Sequence, residues 1–329
     1  MNNKEKNHLL NTFKGIACIA VIFIHVQLPG LLGDISLVMA GFAVPFFFLI
    51  SGYYSYQNTR KIIFEKLKHI LYLLCTGFCL YLVIYIFRGA ANGILPKYLS
   101  IIWNLENIKK AILLGDFNVV SAGHLWFLYA LAWAYVFLIV IDNSKIYELL
   151  MKPYILIIIF CVKEFVLGYV ICHGLDWKLA SNALFCAIPY LLLGRFIASK
   201  KIKHFSNKFF VVAIPLSMLC CLIWIVLGTF DDQVVGTVLY STFIFLFCIN
   251  NPNKSIPVLE KIGERYSSYI YIIHIAIRFV SGSIAGYYSF GNNIVWRFLH
   301  PFIVCLFSTV CAMGIIRMKG WHNKKGIVK

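Results

Sequence analysis

Ten runs of about 17–23 mostly apolar residues, separated by short polar breaks, leave this chain few ways to fold. The runs fall at 12–28, 35–56, 69–88, 124–141, 153–172, 179–198, 209–228, 233–250, 266–284 and 294–316. Each is long enough to cross the hydrocarbon core of a bilayer as a helix, which needs about 20 such residues. In lipid the backbone must satisfy its own hydrogen bonds, and runs of this length suit helices where a barrel strand would need about half as many residues. The expectation is an all-α polytopic membrane bundle of about ten transmembrane helices.

Composition excludes the soluble alternative. Of 329 residues, 61% are hydrophobic and 13% are charged, where a soluble globule would carry about a quarter charged. Loops are mostly short, so residues 1–329 read as a single membrane-embedded domain with no separate soluble one. The first run is followed by Pro29-Gly30 without a small-x-small cleavage pattern, so it reads as a retained helix and not a signal peptide. The 11 cysteines lie almost entirely within the apolar runs and form no C-x-x-C pair. They read as small buried hydrophobes, and no metal site is expected.

A net charge of +17 invites a nucleic-acid partner, but its distribution answers a different need. If the N-terminus is cytoplasmic, the termini and alternate loops on that side hold 21 Lys and Arg. The outer loops and helix ends hold 6: Arg88, Lys97, Lys109, Lys110, Lys178 and Arg297. That asymmetry follows the positive-inside rule and sets both termini in the cytoplasm. The charge is topological, with contact to anionic lipid headgroups as a second benefit; no nucleic-acid partner is expected. The long outer connection from 89 to 123 reads as an interfacial amphipathic helix or a re-entrant element.

Ionisable groups inside a span cost about 2.5–3.5 kcal/mol each on insertion scales, so each one asks for a reason. Lys14 and His25 are eleven residues apart on the first span, which brings them onto one helical face about 16 Å apart along the axis. One reading is a snorkelling Lys and a His bonded to a neighbouring helix. The other is a basic anchor below and a proton acceptor above, since a general base needs a neutral imidazole. In the second span, Pro45 and Gly52 predict a kinked helix, with Phe46, Phe47 and Phe48 facing lipid or packing. Ser51 beside Gly52 reads more naturally as helix packing than as a nucleophile, because no G-x-S-x-G elbow surrounds it. His124 and Trp126 open the fourth span at the outer interface, where an aromatic belt is expected. Lys163 and Glu164 are adjacent and predicted not to pair simply; Glu164 would reach an Arg or His on another helix. Arg195, and His274 with Arg278 one turn on, read either as a buried ionic network or as a polar path. Asp231-Asp232 reads as a helix cap.

Four segments in order carry a resemblance: Lys14…His25, Val-Pro-Phe-Phe-Phe-Leu-Ile-Ser-Gly-Tyr at 44–53, His-Leu-Trp-Phe-Leu-Tyr at 124–129, and Tyr-Ile-Ile-His at 271–274. Together they resemble the acyltransferase-3 family of bacterial integral membrane proteins over nearly the whole chain. The resemblance implies transfer of an acyl group, by default acetyl, from cytoplasmic acyl-coenzyme A to a hydroxyl of a surface carbohydrate or other exported acceptor. It implies a multi-pass protein of the bacterial cytoplasmic membrane, with acyl-CoA as donor substrate and no permanently bound cofactor. The family's first-helix histidine is its catalytic residue, which carries over to His25. Its first-helix basic residue is often Arg; Lys14 keeps the charge and loses the bidentate fork for phosphate. The family's Arg-x-x-Arg after the second helix is absent in that form, and Arg60, Lys61, Lys66 and Lys68 supply charge there as candidate coenzyme A contacts. Ser51, His124, Trp126, Glu164, His274 and Arg278 remain candidates for the substrate path. The rival class is a transporter of a small solute or glycan, since buried Lys, His, Glu and Arg also suit a solute or proton path. Against it, no inverted repeat or matched pair of broken helices is visible in the sequence.

Overall fold

A computed structural model of the protein describes residues 6–202, 205–226 and 236–326, and among these it contains helices and no strand. Among the described residues, seven helical segments are long and apolar enough to cross a membrane: His8–His25, Leu31–Tyr53, Arg60–Ala91, Gly123–Ile141, Pro153–Cys172, Pro257–Tyr287 and Ile294–Lys319. Three shorter apolar helices, Ala183–Ser199, Asn207–Ile223 and Thr237–Asn250, occupy the other three apolar runs. Asp231-Asp232 and the adjoining ends of the runs at 209–228 and 233–250 lie outside the described residues. Many large apolar side chains face outward along these helices, Phe87, Phe165 and Val211 among them. In water such a surface would demand a partner, and in a bilayer the acyl chains are that partner.

The chain sorts into two compact units. The first comprises residues 1–46 and 203–329, the second residues 47–202. The first unit contains α1 (His8–His25), α2 (Leu31–Ala40) and the opening turn of α3 (Ala43–Tyr53). The second holds the rest of α3, then α4 (Arg60–Ala91), α5 (Leu95–Ile102), α6 (Leu105–Leu114), α7 (Trp126–Ile141), α8 (Lys145–Leu150), α9 (Pro153–Cys172) and α10 (Ile188–Ser199). The chain then returns to the first unit with α11 (Asn207–Val226), α12 (Thr237–Asn250), α13 (Pro257–Lys261), α14 (Ser267–Tyr287) and α15 (Ile294–Gly326).

The second expected span is not one kinked helix. It is two helices with the break at Gly41-Phe42, ahead of Pro45. Pro45 is the third residue of α3, where the missing N–H would have no intrahelical acceptor anyway, so proline starts this helix instead of bending it. The outer connection at 89–123 also differs in extent: α4 continues to Ala91, and two short helices follow with no buried residue in either. Glu106, Lys109 and Lys110 share α6 with exposed Leu105, Ile112 and Leu113, the composition of a helix lying at an interface.

Both units contain a reciprocal glycine crossing. In the first, α1 meets the π-helical turn Ile262–Tyr266 that joins α13 to α14. A Cβ on Gly15 would sit 2.2 Å from the Leu259 carbonyl oxygen, and one on Gly263 would sit 2.0 Å from that of Asn11. In the second unit a Cβ on Gly52 would be 2.0 Å from the Leu191 oxygen, and one on Gly194 would be 2.2 Å from the Leu49 oxygen. Backbones come this close only where no side chain intervenes, which is how membrane helices gain packing without a hydrophobic drive between them. The helix packing expected at Ser51-Gly52 is therefore present. Around the first crossing, Phe13, Phe42, Phe46, Tyr240, Phe245 and Phe247 pack with ring centroids 5.7–6.3 Å apart.

Arg195 closes the second unit's polar network. Its Nη2 lies 3.0 Å from Asp142 Oδ1, and its Nε donates to the Tyr147 hydroxyl at 2.9 Å. The Asp142 carbonyl accepts from Arg60 at 2.9 Å. Burial pushes the Tyr147 phenol above its ordinary pKa, against the opposing pull of Arg195. Because both side chains of the ion pair are nearly inaccessible, Arg195→Ala strands a buried carboxylate, a loss of about 3–5 kcal/mol. A fall in the thermal midpoint in detergent, largely reversed in Arg195→Met/Asp142→Leu, is the expected result; an unchanged single variant would refute it.

Candidate active site

In the first unit, Lys14 and His25 stand on one uninterrupted helix, as the spacing required. Asn7 starts that helix: its side chain accepts from the Leu10 N–H at 2.7 Å and donates to the Cys248 carbonyl at 2.9 Å. The N-terminal end is tied by acids. Lys6 lies 3.0 Å from both Glu260 and Glu264, and those hydrogen-bonded carboxylates hold its pKa above the usual value. His8 Nδ1 is 2.7 Å from Glu260 Oε1. Lys14 is nearly two turns beyond His8, against Gly263, with Glu264 as the carboxylate acting on it.

His25 ends the helix and is only partly exposed. Its ring centroid lies 5.3 Å from that of His274, at an interplanar angle of 34°. His274 is fully buried on α14, and its Nδ1 is 3.1 Å from the Ile270 carbonyl oxygen. A carbonyl only accepts, so Nδ1 carries the proton, and in the neutral ring Nε2 is the acceptor nitrogen. Arg278 is one turn beyond His274, on the same face as expected, and lies within electrostatic range of His25, His274 and His300.

His300, on α15, belongs to this cluster and was not among the residues singled out from sequence. Its Nε2 is 2.9 Å from Ser281 Oγ, and its ring stacks on Trp296 at 4.7 Å. Phe23 and Phe302, edge to face at 5.4 Å, seat α15 beside α1. The first unit thus brings His25, His274, Arg278, Ser281 and His300 together from three helices. The signal for His300 was available: it is a histidine inside an apolar run, one turn after a tryptophan.

The remaining candidates lie in the second unit. Arg60, Lys61, Lys66 and Lys68 occupy the first turns of α4, capped by Thr59. Lys66 donates to the Tyr54 carbonyl at 3.0 Å, Lys68 pairs with Glu65 at 3.0 Å, and Lys61 is exposed. Ser51 donates to the Phe47 carbonyl at 2.9 Å and is hydrogen-bonded to Tyr135, a packing arrangement. His124 is buried edge-to-face against Tyr81 at 5.0 Å, and Trp126 meets Trp177 at 5.7 Å. Nearby, Lys178 and Asp116 form a 2.5 Å ion pair that sequence distance concealed.

Glu164 corrects an expectation. Lys163 Nζ is 2.8 Å from Glu164 Oε1, so the neighbours do pair. A one-residue step turns the side chains about 100° apart, but the flexible four-carbon lysine stem spans that angle.

A family model described as an acyltransferase domain matches residues 7–318. No curated protein and no solved structure matches the chain.

Proposed function

Because this chain belongs to the acyltransferase-3 family, and is therefore a membrane acyltransferase handling groups other than aminoacyl, we propose that it carries an acyl group from cytoplasmic acyl-CoA to an exported hydroxyl. In this reading the acyl group is acetyl, the acceptor is a cell-envelope carbohydrate, and the location is the bacterial cytoplasmic membrane. The observation that carries it is the His25–His274 pair at one end of the helix that bears Lys14.

His25 acts as the general base. Its unprotonated nitrogen takes the acceptor hydroxyl's proton as the oxygen forms its bond to the thioester carbonyl carbon. The carbon–sulfur bond then breaks, and the leaving thiolate receives that proton from the imidazolium. Direct transfer needs no acyl-histidine intermediate. His274, whose Nδ1 proton is committed to the Ile270 carbonyl, presents its acceptor edge in the same cluster and steadies the geometry. With the termini in the cytoplasm, Lys14 stands toward the donor's side and offers a point charge for its phosphates.

Proteoliposomes loaded with a deacylated envelope glycan and given labelled acetyl-CoA outside test this directly. Label should pass to the glycan and free coenzyme A should accumulate outside. Solute flux without thioester consumption would instead support a transporter and sink the reading. Lys14→Gln should raise the acetyl-CoA KM about tenfold, the equivalent of ~1.4 kcal/mol, and Lys14→Arg should restore it. An unchanged KM in Lys14→Gln would remove Lys14 from donor binding.

A further inference from the structure

The geometry points to Arg278 as the oxyanion-binding residue of this site: its guanidinium receives the charge that the thioester carbonyl oxygen acquires when the acceptor oxygen attacks. This rests on the acyl-transfer reading and adds to it a group that touches a reacting atom.

Arg278 lies in the interior of α14, within a segment apolar enough to span the membrane. A guanidinium there costs about 2.5–3.5 kcal/mol on insertion scales and persists where something anionic or aqueous meets it. Among the described residues, no carboxylate lies within ion-pair distance of it. His274 lies one turn back on the same face of α14 with its ring 5.3 Å from that of His25, and the charge of Arg278 reaches His25, His274 and His300, none of them an anion. His300 is itself engaged, with Nε2 2.9 Å from Ser281 Oγ and its ring stacked on Trp296. Arg278 itself is exposed and is not sealed within the helix packing. A cationic group with fixed neutral neighbours, beside a base, is what a negative charge that exists only during reaction requires.

The chemistry supplies such a charge. As the acceptor oxygen bonds to the carbonyl carbon, the carbonyl π pair moves onto its oxygen. The guanidinium N–H groups donate to that oxygen until the pair returns and the carbon–sulfur bond breaks. Since the donors are in place before reaction, they stabilise the transition state more than the bound thioester.

The test uses the full-length protein in nanodiscs, labelled acetyl-CoA and deacylated envelope glycan, with Arg278→Ala and Arg278→Lys. Arg278→Ala should lose about 10²–10³-fold in kcat, the scale of losing one oxyanion donor, with both KM values within about threefold. Added guanidinium ion should restore part of that rate, and Arg278→Lys should fall in between. A kcat like that of the wild type overturns the assignment. So does a loss confined to the acceptor KM, which would make Arg278 the holder of an anionic acceptor. A variant that keeps its thermal midpoint but gains nothing from guanidinium also overturns it. A wild-type protein that turns over no acetyl-CoA sinks this inference together with the acyl-transfer reading, whereas an inert Arg278 in an active enzyme sinks this inference alone.

Discussion

Replacing His25 with alanine is expected to cut acyl transfer by about 10²–10⁴-fold while leaving the protein folded. The imidazole ends α1 and is partly exposed, so the substitution leaves no cavity in the close-packed part of the first unit. Its pairing with His274 at 5.3 Å places it among groups that can accept and return a proton, a task no neighbouring aliphatic side chain can assume. His25→Gln keeps bulk and hydrogen bonding but has no basic nitrogen, so it should be nearly as inactive as alanine. Labelled acetyl-CoA turnover, beside the thermal midpoint, separates catalysis from folding. Transfer at the wild-type rate by a well-folded His25→Ala protein would remove His25 from the mechanism.

The largest effect on folding is expected at Gly263. A methyl group there would lie 2.0 Å from the Asn11 carbonyl oxygen, 2.6 Å from the Gly15 amide nitrogen and 2.8 Å from Lys14 Cβ. Two of those atoms are backbone of α1, so no side chain can swing aside, and the helices must separate. Gly263→Val should therefore cost more than the about 1–3 kcal/mol typical of overpacking and leave little protein in the membrane. Gly282, whose added Cβ meets nothing within 4 Å, provides the control on α14: Gly282→Ala should accumulate normally. Equal membrane levels of Gly263→Val and wild type would show that the crossing is looser than drawn.

Much of this was legible in the sequence because a bilayer imposes blunt rules. Apolar runs must be helical, and Lys14 and His25 need only helix geometry to share a face. The membrane bundle and the family followed from such local patterns. What failed depended on finer local contest or on long-range contacts. Pro45 looked like the breaker, yet the helix restarts just before it because proline is tolerated in a first turn. Adjacent Lys163 and Glu164 looked unable to meet, but side-chain length outweighed angular separation. His300 stood out in the sequence as a histidine inside an apolar run, but which groups it meets, Ser281 and Arg278 on another helix, is a long-range fact. The interleaving of the two units, and the Asp116–Lys178 pair, need contacts that no period along the chain reports.

That interleaving has a consequence for how the protein is made. The first unit is written in two instalments, residues 1–46 and 203–329, with the whole second unit between them. His25 leaves the ribosome early, and its partners on α14 and α15 arrive roughly 250 residues later. At about 5–20 residues per second, that is a wait on the order of 10–50 s. During it the second unit can bury its own core, while His25 still lacks α14 and α15. On the acyl-transfer reading proposed above, a message that stops short of α14 should yield a chain without acyl-transfer activity.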